Sequence, residues 1–216
     1  MMKKWLVAAG LLSITNIAGA HVSFVANNAY AGKSYIATAN IPHGCEDGNG
    51  NHYDTIKIEM DMPAGFISVK PADASFGPAS VEKDANGNVI KLIWNKAAAA
   101  LEDDTNLYQV TFRGKLPNTP LQSLPFITKQ TCANNTSFTW EGADVPALKL
   151  LPVRAPGWNQ YTAQTTIDEA MLKAFFADAN IVWSNGAAYS SNSVTAGLIT
   201  NKLTSIAQGA EYWVKY

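Results

Sequence analysis

Thr55-Ile56-Lys57-Ile58-Glu59-Met60-Asp61-Met62 is the stretch that decides the fold class. Ile56, Ile58, Met60 and Met62 fall on one side of an extended chain, and Lys57, Glu59 and Asp61 fall on the other. That period of two belongs to a half-buried strand, because successive side chains on a pleated backbone point to opposite faces. Pro63-Ala64-Gly65 ends the run and Phe66–Val69 resumes it. Upstream, Val22–Val25 and Ser34–Ile41 read as strands, separated by turn residues at Asn27-Asn28 and Gly32. Downstream, Asn86-Gly87 is a hairpin signal that folds Val81-Glu82-Lys83 back onto Val89–Trp94. Leu107–Arg113, Leu124–Lys129, Ser137–Trp140 and Leu148–Val153 follow as strands, with one helical turn at most over Ala97–Asp104. Many short strands with turns between them predict a mainly β domain over residues 21–153, an antiparallel Greek-key β-sandwich.

The period changes after Pro156-Gly157. Thr166 and Glu169 have capping-box spacing, and Ile167, Met171, Ala174 and Phe175 have helical spacing, predicting a helix to about Ala177. A strand at Asn180–Trp183, a second helix at Ser193–Leu203 and a closing strand at Glu211–Tyr216 complete a small C-terminal α/β appendage over 157–216. It is too short for a comfortable core of its own and is expected to pack on the sandwich. Trp183 and Tyr212-Trp213 read as packing residues, and Ser184-Asn185-Gly186 as a turn.

The first twenty residues have a different character. Lys3 and Lys4, the apolar run Trp5–Leu12 and the small-residue site Ala18-Gly19-Ala20 spell a signal peptide cleaved after Ala20. The expected location is therefore periplasmic or secreted. No later apolar run is long enough to span a bilayer, so no membrane span is expected in the mature chain. Sixteen Lys and Arg face 17 Asp and Glu, and losing Lys3 and Lys4 makes the mature chain more acidic still. That balance argues against nucleic acid as a partner. The two cysteines, Cys45 and Cys132, lie too far apart in sequence for a short metal or redox motif. An even pair in an exported chain reads as a disulfide.

Cleavage after Ala20 would make His21 the first residue. A free α-amine and the Nδ1 of one imidazole then close a six-membered chelate, a donor pair that suits Cu(II). The loop Ile41-Pro42-His43-Gly44-Cys45-Glu46-Asp47-Gly48 adds an imidazole and two carboxylates beside the expected disulfide. Glu46 is placed to complete the chelate if the first strand pairs near the start of this loop.

Five ordered segments carry a family resemblance: His21-Val22-Ser23-Phe24; IPHGCEDGN at 41–49; PAGFISVKP at 63–71; Gln130-Thr131-Cys132-Ala133-Asn134; and Phe138-Thr139-Trp140-Glu141-Gly142 with Val145-Pro146-Ala147. Together, over about 21–153, they resemble the YcnI-like family of exported copper-binding domains. The resemblance implies a cupredoxin- or immunoglobulin-like sandwich that holds Cu(II) in a single-histidine brace. The amine and Nδ1 of His21 form that brace, aided by a carboxylate and a nearby tryptophan. Mapped onto this chain, the metal residues are His21, Glu46 and Trp140, with Asp47 the neighbouring alternative to Glu46. It further implies a role in copper trafficking or homeostasis, with envelope copper transport or chaperone proteins as partners.

Other readings compete. Trp140 shares a strand face with Phe138 and is also a core candidate. Met60 and Met62 continue the Ile56/Ile58 stripe and read as core rather than as Cu(I) ligands. A two-histidine brace, with His43 or His52 as the second imidazole, would make the chain a copper-dependent oxidative enzyme. A structural or adhesive sandwich would leave His21 incidental. Asn134-Asn135-Thr136 marks a surface loop. No nucleophile elbow, zinc-protease motif or phosphate-binding glycine loop is present, so no catalytic residue is assigned.

Overall fold

The computed structural model describes residues 21–46, 49–97 and 106–216, and for His52 the backbone alone. All but the first residue of the helical turn expected at Ala97–Asp104, together with Asp47 and the expected leader, therefore lies outside the described residues. Fourteen strands precede residue 152 among the described residues: β1 (Ser23–Phe24), β2 (Asn28–Tyr30), β3 (Ser34–Ile41), β4 (Cys45–Glu46), β5 (His52–Tyr53), β6 (Thr55–Asp61), β7 (Ile67–Pro71), β8 (Ala79–Lys83), β9 (Val89–Asn95), β10 (Tyr108–Lys115), β11 (Ser123–Pro125), β12 (Thr128–Cys132), β13 (Ser137–Trp140) and β14 (Ala147–Leu151). One layer runs β1-β3-β10-β7 and the facing layer β13-β12-β6-β9-β8; both are antiparallel. The chain passes repeatedly from one layer to the other, as in Greek-key connections. The domain is a mainly β sandwich of two facing layers.

Its core is what alternation dictates. Ala37, Ala39 and Ile41 of β3 and Val110 and Phe112 of β10 face Ile58 and Met60 of β6 and Leu92 and Trp94 of β9, all at most 1% exposed. Met60 is thus core, and Met62 packs with it. Phe24, Phe66, Phe112 and Phe126 meet edge-to-face or tilted with ring centroids 5.1–6.2 Å apart, the arrangement aromatic quadrupoles favour. At the β8–β9 turn, Asp84 accepts from the amides of Asn86 and Asn88 at 2.9 and 2.8 Å. These bonds hold the register into which Asn86-Gly87 folds the hairpin.

Two strand expectations change. Leu124–Lys129 is two strands in different sheets: β11 pairs with β14, and β12 joins the facing layer. Phe126, fully buried, marks the crossing. Asn28–Tyr30, which includes the expected turn residue Asn28, is a strand that pairs with β14 in parallel, so the sandwich is not antiparallel throughout. The side sheet runs β11-β14-β2.

Beyond Leu151 come β15 (Trp158–Thr162), α1 (Glu169–Phe175), β16 (Ile181–Ser184), β17 (Ala187–Tyr189), α2 (Ser193–Leu198) and β18 (Glu211–Lys215). The four strands form one antiparallel sheet in the order β15-β18-β16-β17. The helix starts later than the Thr166 box suggests. Asp168 is the N-cap, its carboxylate accepting from the Met171 amide at 2.8 Å, while Ile167 is held outside by a bridge to Ile206. The second helix stops at Leu198, because the following chain turns back so that Lys202 bridges Ala188 and Leu203 is buried.

A second core gathers Ile167, Leu172, Phe176, Val182, Tyr212 and Val214, and Leu121 and Leu151 of the sandwich enter it. Arg154 ties the two regions together. Its Nη1 donates to Asp178 Oδ2 at 2.6 Å and its Nε to the Tyr30 hydroxyl at 3.1 Å, while its guanidinium lies 4.1 Å from the Tyr216 ring centroid. No helix among the described residues is long and apolar enough to cross a membrane.

Candidate metal site at the amino-terminal edge

His21 precedes β1, the edge strand of one layer, and Trp140 ends β13, the edge strand of the other. The two edges close on the same side of the sandwich. The imidazole of His21 meets the Trp140 indole edge-to-face, with ring centroids 5.1 Å apart and planes at 69°. A single 3₁₀ turn, Gly142–Asp144, follows β13 and swings Asp144 back beside the same imidazole. The Asp144 Oδ1 lies 3.9 Å from His21 Nδ1, with the two side chains 53% and 62% exposed. At that exposure the contact contributes little to stability. It does place an anionic oxygen next to the nitrogen that the chelate would use.

Trp140 is half-buried and packs against the sandwich core, so the core reading and the site reading of this residue meet in one position. Its Nε1–H is buried and has no hydrogen-bond partner among the described residues. Buried donors are ordinarily satisfied. An indole N–H cannot ligate a cation, but it can donate to an oxygen held beside one.

Cys45 and Cys132 are joined by a disulfide, with Cα atoms 6.0 Å apart and a sequence separation of 87. The bridge fastens β4 to the end of β12. Glu46 follows it, exposed, and pairs across the two-stranded β4–β5 ribbon with His52. His43 is anchored through its backbone: its carbonyl accepts from Gln130 Nε2 at 2.7 Å and Thr55 Oγ1 at 3.4 Å, and its Nδ1 lies against the Gly44 carbonyl. The structure thus brings His21 and Trp140 together and adds Asp144, which sequence reasoning missed. It places Glu46 on the disulfide ribbon, apart from that contact. Among the described residues no group of three or more His, Cys, Asp or Glu is assembled. The overlooked signal was the acidic pair Glu141 and Asp144 directly behind Trp140.

Residues 21–157 match the family described as "Domain of unknown function (DUF1775)". The chain belongs to the DUF1775 family. The match begins at His21 and runs through the whole sandwich, leaving the C-terminal sheet outside it. Among solved structures, an uncharacterized protein from Nocardia farcinica with an immunoglobulin-like fold is 16% identical, covering 61% of this chain and 98% of its own, at a TM-score of 0.49. A cohesin module of a family 33 glycoside hydrolase from Clostridium perfringens is 12% identical, covering 62% of this chain and 97% of its own, at a TM-score of 0.34. No curated protein matches the chain.

Proposed function

We propose that this DUF1775 protein, once cleaved after Ala20, is an exported copper-binding protein that holds one Cu(II) at its amino terminus. It would store or pass on the metal to copper transport or chaperone proteins of the envelope. The amine and Nδ1 of His21 are the chelate, Trp140 screens one side, and a carboxylate from Asp144 or Glu46 supplies an anionic oxygen. The observation that carries the reading is the contact of His21 with Trp140, two residues far apart in sequence that the YcnI-like pattern pairs. YcnI-like proteins carry this domain, and the family match begins at the residue that cleavage would expose. The donor set fits the ion: two nitrogens in one chelate with an oxygen suit Cu(II), whereas the buried thioethers of Met60 and Met62 are out of reach.

The test compares three forms by competitive copper titration and electron paramagnetic resonance. Protein beginning at His21 should bind one Cu(II) tightly. His21→Ala should lose orders of magnitude in affinity, and so should protein with one extra residue before His21, because an amide is a poor donor. Binding should weaken as pH falls, since protons compete for both nitrogens. Asp144→Asn and Glu46→Gln then identify the carboxylate, because only the true ligand changes the spectrum. Equal binding by the extended and the mature forms would sink the proposal.

A further inference from the structure

Among the described residues, the C-terminal sheet is covered on one face only. Tyr212, Val214 and Val182 turn inward onto the second core with Leu172 of α1 and Phe176, which follows it. The opposite face carries three of the chain's six tryptophans. Trp213 stands directly across from Trp183 on one side and Gln160 on the other. Trp158 pairs with Lys215, two positions along β18 from Trp213, and so lies on the same face. Trp158 is 52% exposed and Trp183 42%. Together the three indoles line a shallow depression of about 480 Å³. The outward positions of a one-sided antiparallel sheet are normally polar, so this is not what folding alone would select.

Size and charge narrow the occupant. A tryptophan presents about 150–250 Å² in all; Trp158 and Trp183 are roughly half covered and Trp213 more than that. The platform therefore offers on the order of 300 Å², well under the about 800 Å² per partner of a stable protein interface. A second copy or a folded partner is not what it fits. Its volume is that of a small-ligand site. Glu211 and Lys215 flank the rings on the same face and cancel, so neither an anionic nor a cationic ligand is selected. Gln160 sits in the row of Trp213 and Trp183, a donor and acceptor level with the ring faces.

Aromatic faces bordered by neutral polar groups match a pyranose. It shows polarised C–H bonds on its flat face and hydroxyls around its rim. We propose that the Trp158–Trp213–Trp183 face binds a neutral polysaccharide, with sugar rings stacked on the indoles and hydroxyls bonded to Gln160, Glu211 and Lys215. Three ring positions fixed by strand register hold the platform ready before binding, which limits the entropy lost in the complex.

The mature full-length protein, in EDTA so that copper plays no part, is mixed with microcrystalline cellulose, chitin or insoluble xylan, and depletion from solution is measured. Binding to at least one is expected, with a change in tryptophan emission on titration with the corresponding soluble hexasaccharide. Trp183→Ala and Trp213→Ala should each weaken that binding ten-fold or more and Gln160→Ala less, whereas Trp183→Tyr, which keeps an aromatic face, should retain most of it. Thermal melts of each variant separate lost binding from lost folding. No depletion on any of the three polymers overturns the proposal, as does full depletion by the alanine variants. So does a concentration-dependent dimer that the alanine variants abolish, which would make a second copy the occupant. An emission response to tetramethylammonium but not to sugar would overturn it too. None of these results touches the copper reading.

Discussion

Replacing Cys45 and Cys132 together by alanine should destabilise the sandwich by about 4–5 kcal/mol. The figure follows from the loop that the bridge closes. A separation of 87 residues removes roughly 15 cal/mol/K of chain entropy from the unfolded state, close to 4.6 kcal/mol at 25 °C. Both cysteines are at most 1% exposed, so truncation also leaves a small cavity, and native strain relieved by the change would work in the opposite direction. The bridge joins β4 to β12, and only sandwich strands lie within the loop. Differential scanning calorimetry should therefore show the sandwich transition falling by roughly 10–20 °C, with the transition of the C-terminal core moved much less. Urea unfolding should show a lower midpoint and a slope that rises as the unfolded chain expands. A fall below about 3 °C would refute the reasoning, since it would mean that the unfolded chain holds Cys45 and Cys132 close without the bond. A loss confined to the C-terminal transition would refute it equally.

Arg154→Ala should uncouple the two cores. It removes the bond to Asp178, the bond to Tyr30 and the stacking on Tyr216, a loss of about 1–3 kcal/mol after discounting for partial exposure, seen in calorimetry as two transitions drawing apart. A single unshifted transition would count against the clasp. Gly77→Ala should cost more than 2 kcal/mol, a large single-site effect. At φ +148° a new Cβ would stand 1.9 Å from the Asn95 carbonyl oxygen, and that backbone belongs to the β8–β9 pair; an unchanged urea midpoint would contradict it. At alkaline pH, burial foremost and then the neighbouring Tyr161 push the Tyr216 hydroxyl up to about 12, and burial drives Tyr212 higher still. An unfolded tyrosine ionises near 10, so the folded state is favoured fully below that value and loses this contribution as pH climbs through about 12. Tyrosinate absorbance should show two late-titrating groups rising together with loss of C-terminal structure. Uniform titration near 10 with the fold intact would disprove it.

Much of this protein is local, and the local part is what the amino-acid sequence determines. Alternation in Thr55–Met62 specifies a strand and the face it buries, because a one-residue slip would put Lys57, Glu59 and Asp61 in the core. Ser34–Ile41 and Ser137–Trp140 appear with the bounds their patterns indicate, and two cysteines in a chain expected to be exported suffice to predict the bond that the structure shows. Where local pattern is weak, tertiary structure decided. Asn28–Tyr30 is a strand because β14 offers it an edge, and Leu124–Lys129 divides because Phe126 fills the core between two sheets. Trp158–Thr162 and Ala187–Tyr189 gain their strand form from β18 and β16. The candidate site divides in the same way. The pattern of the first twenty residues points to His21 as an expected first residue and a motif points to Trp140, but Asp144 comes to His21 only through the 3₁₀ turn after β13. The three tryptophans of the C-terminal sheet lie far apart along the chain, and their rings share a surface because cross-strand register sets them side by side. Backbone hydrogen bonding and burial select that register across the whole sheet, and no short stretch of sequence carries the information alone.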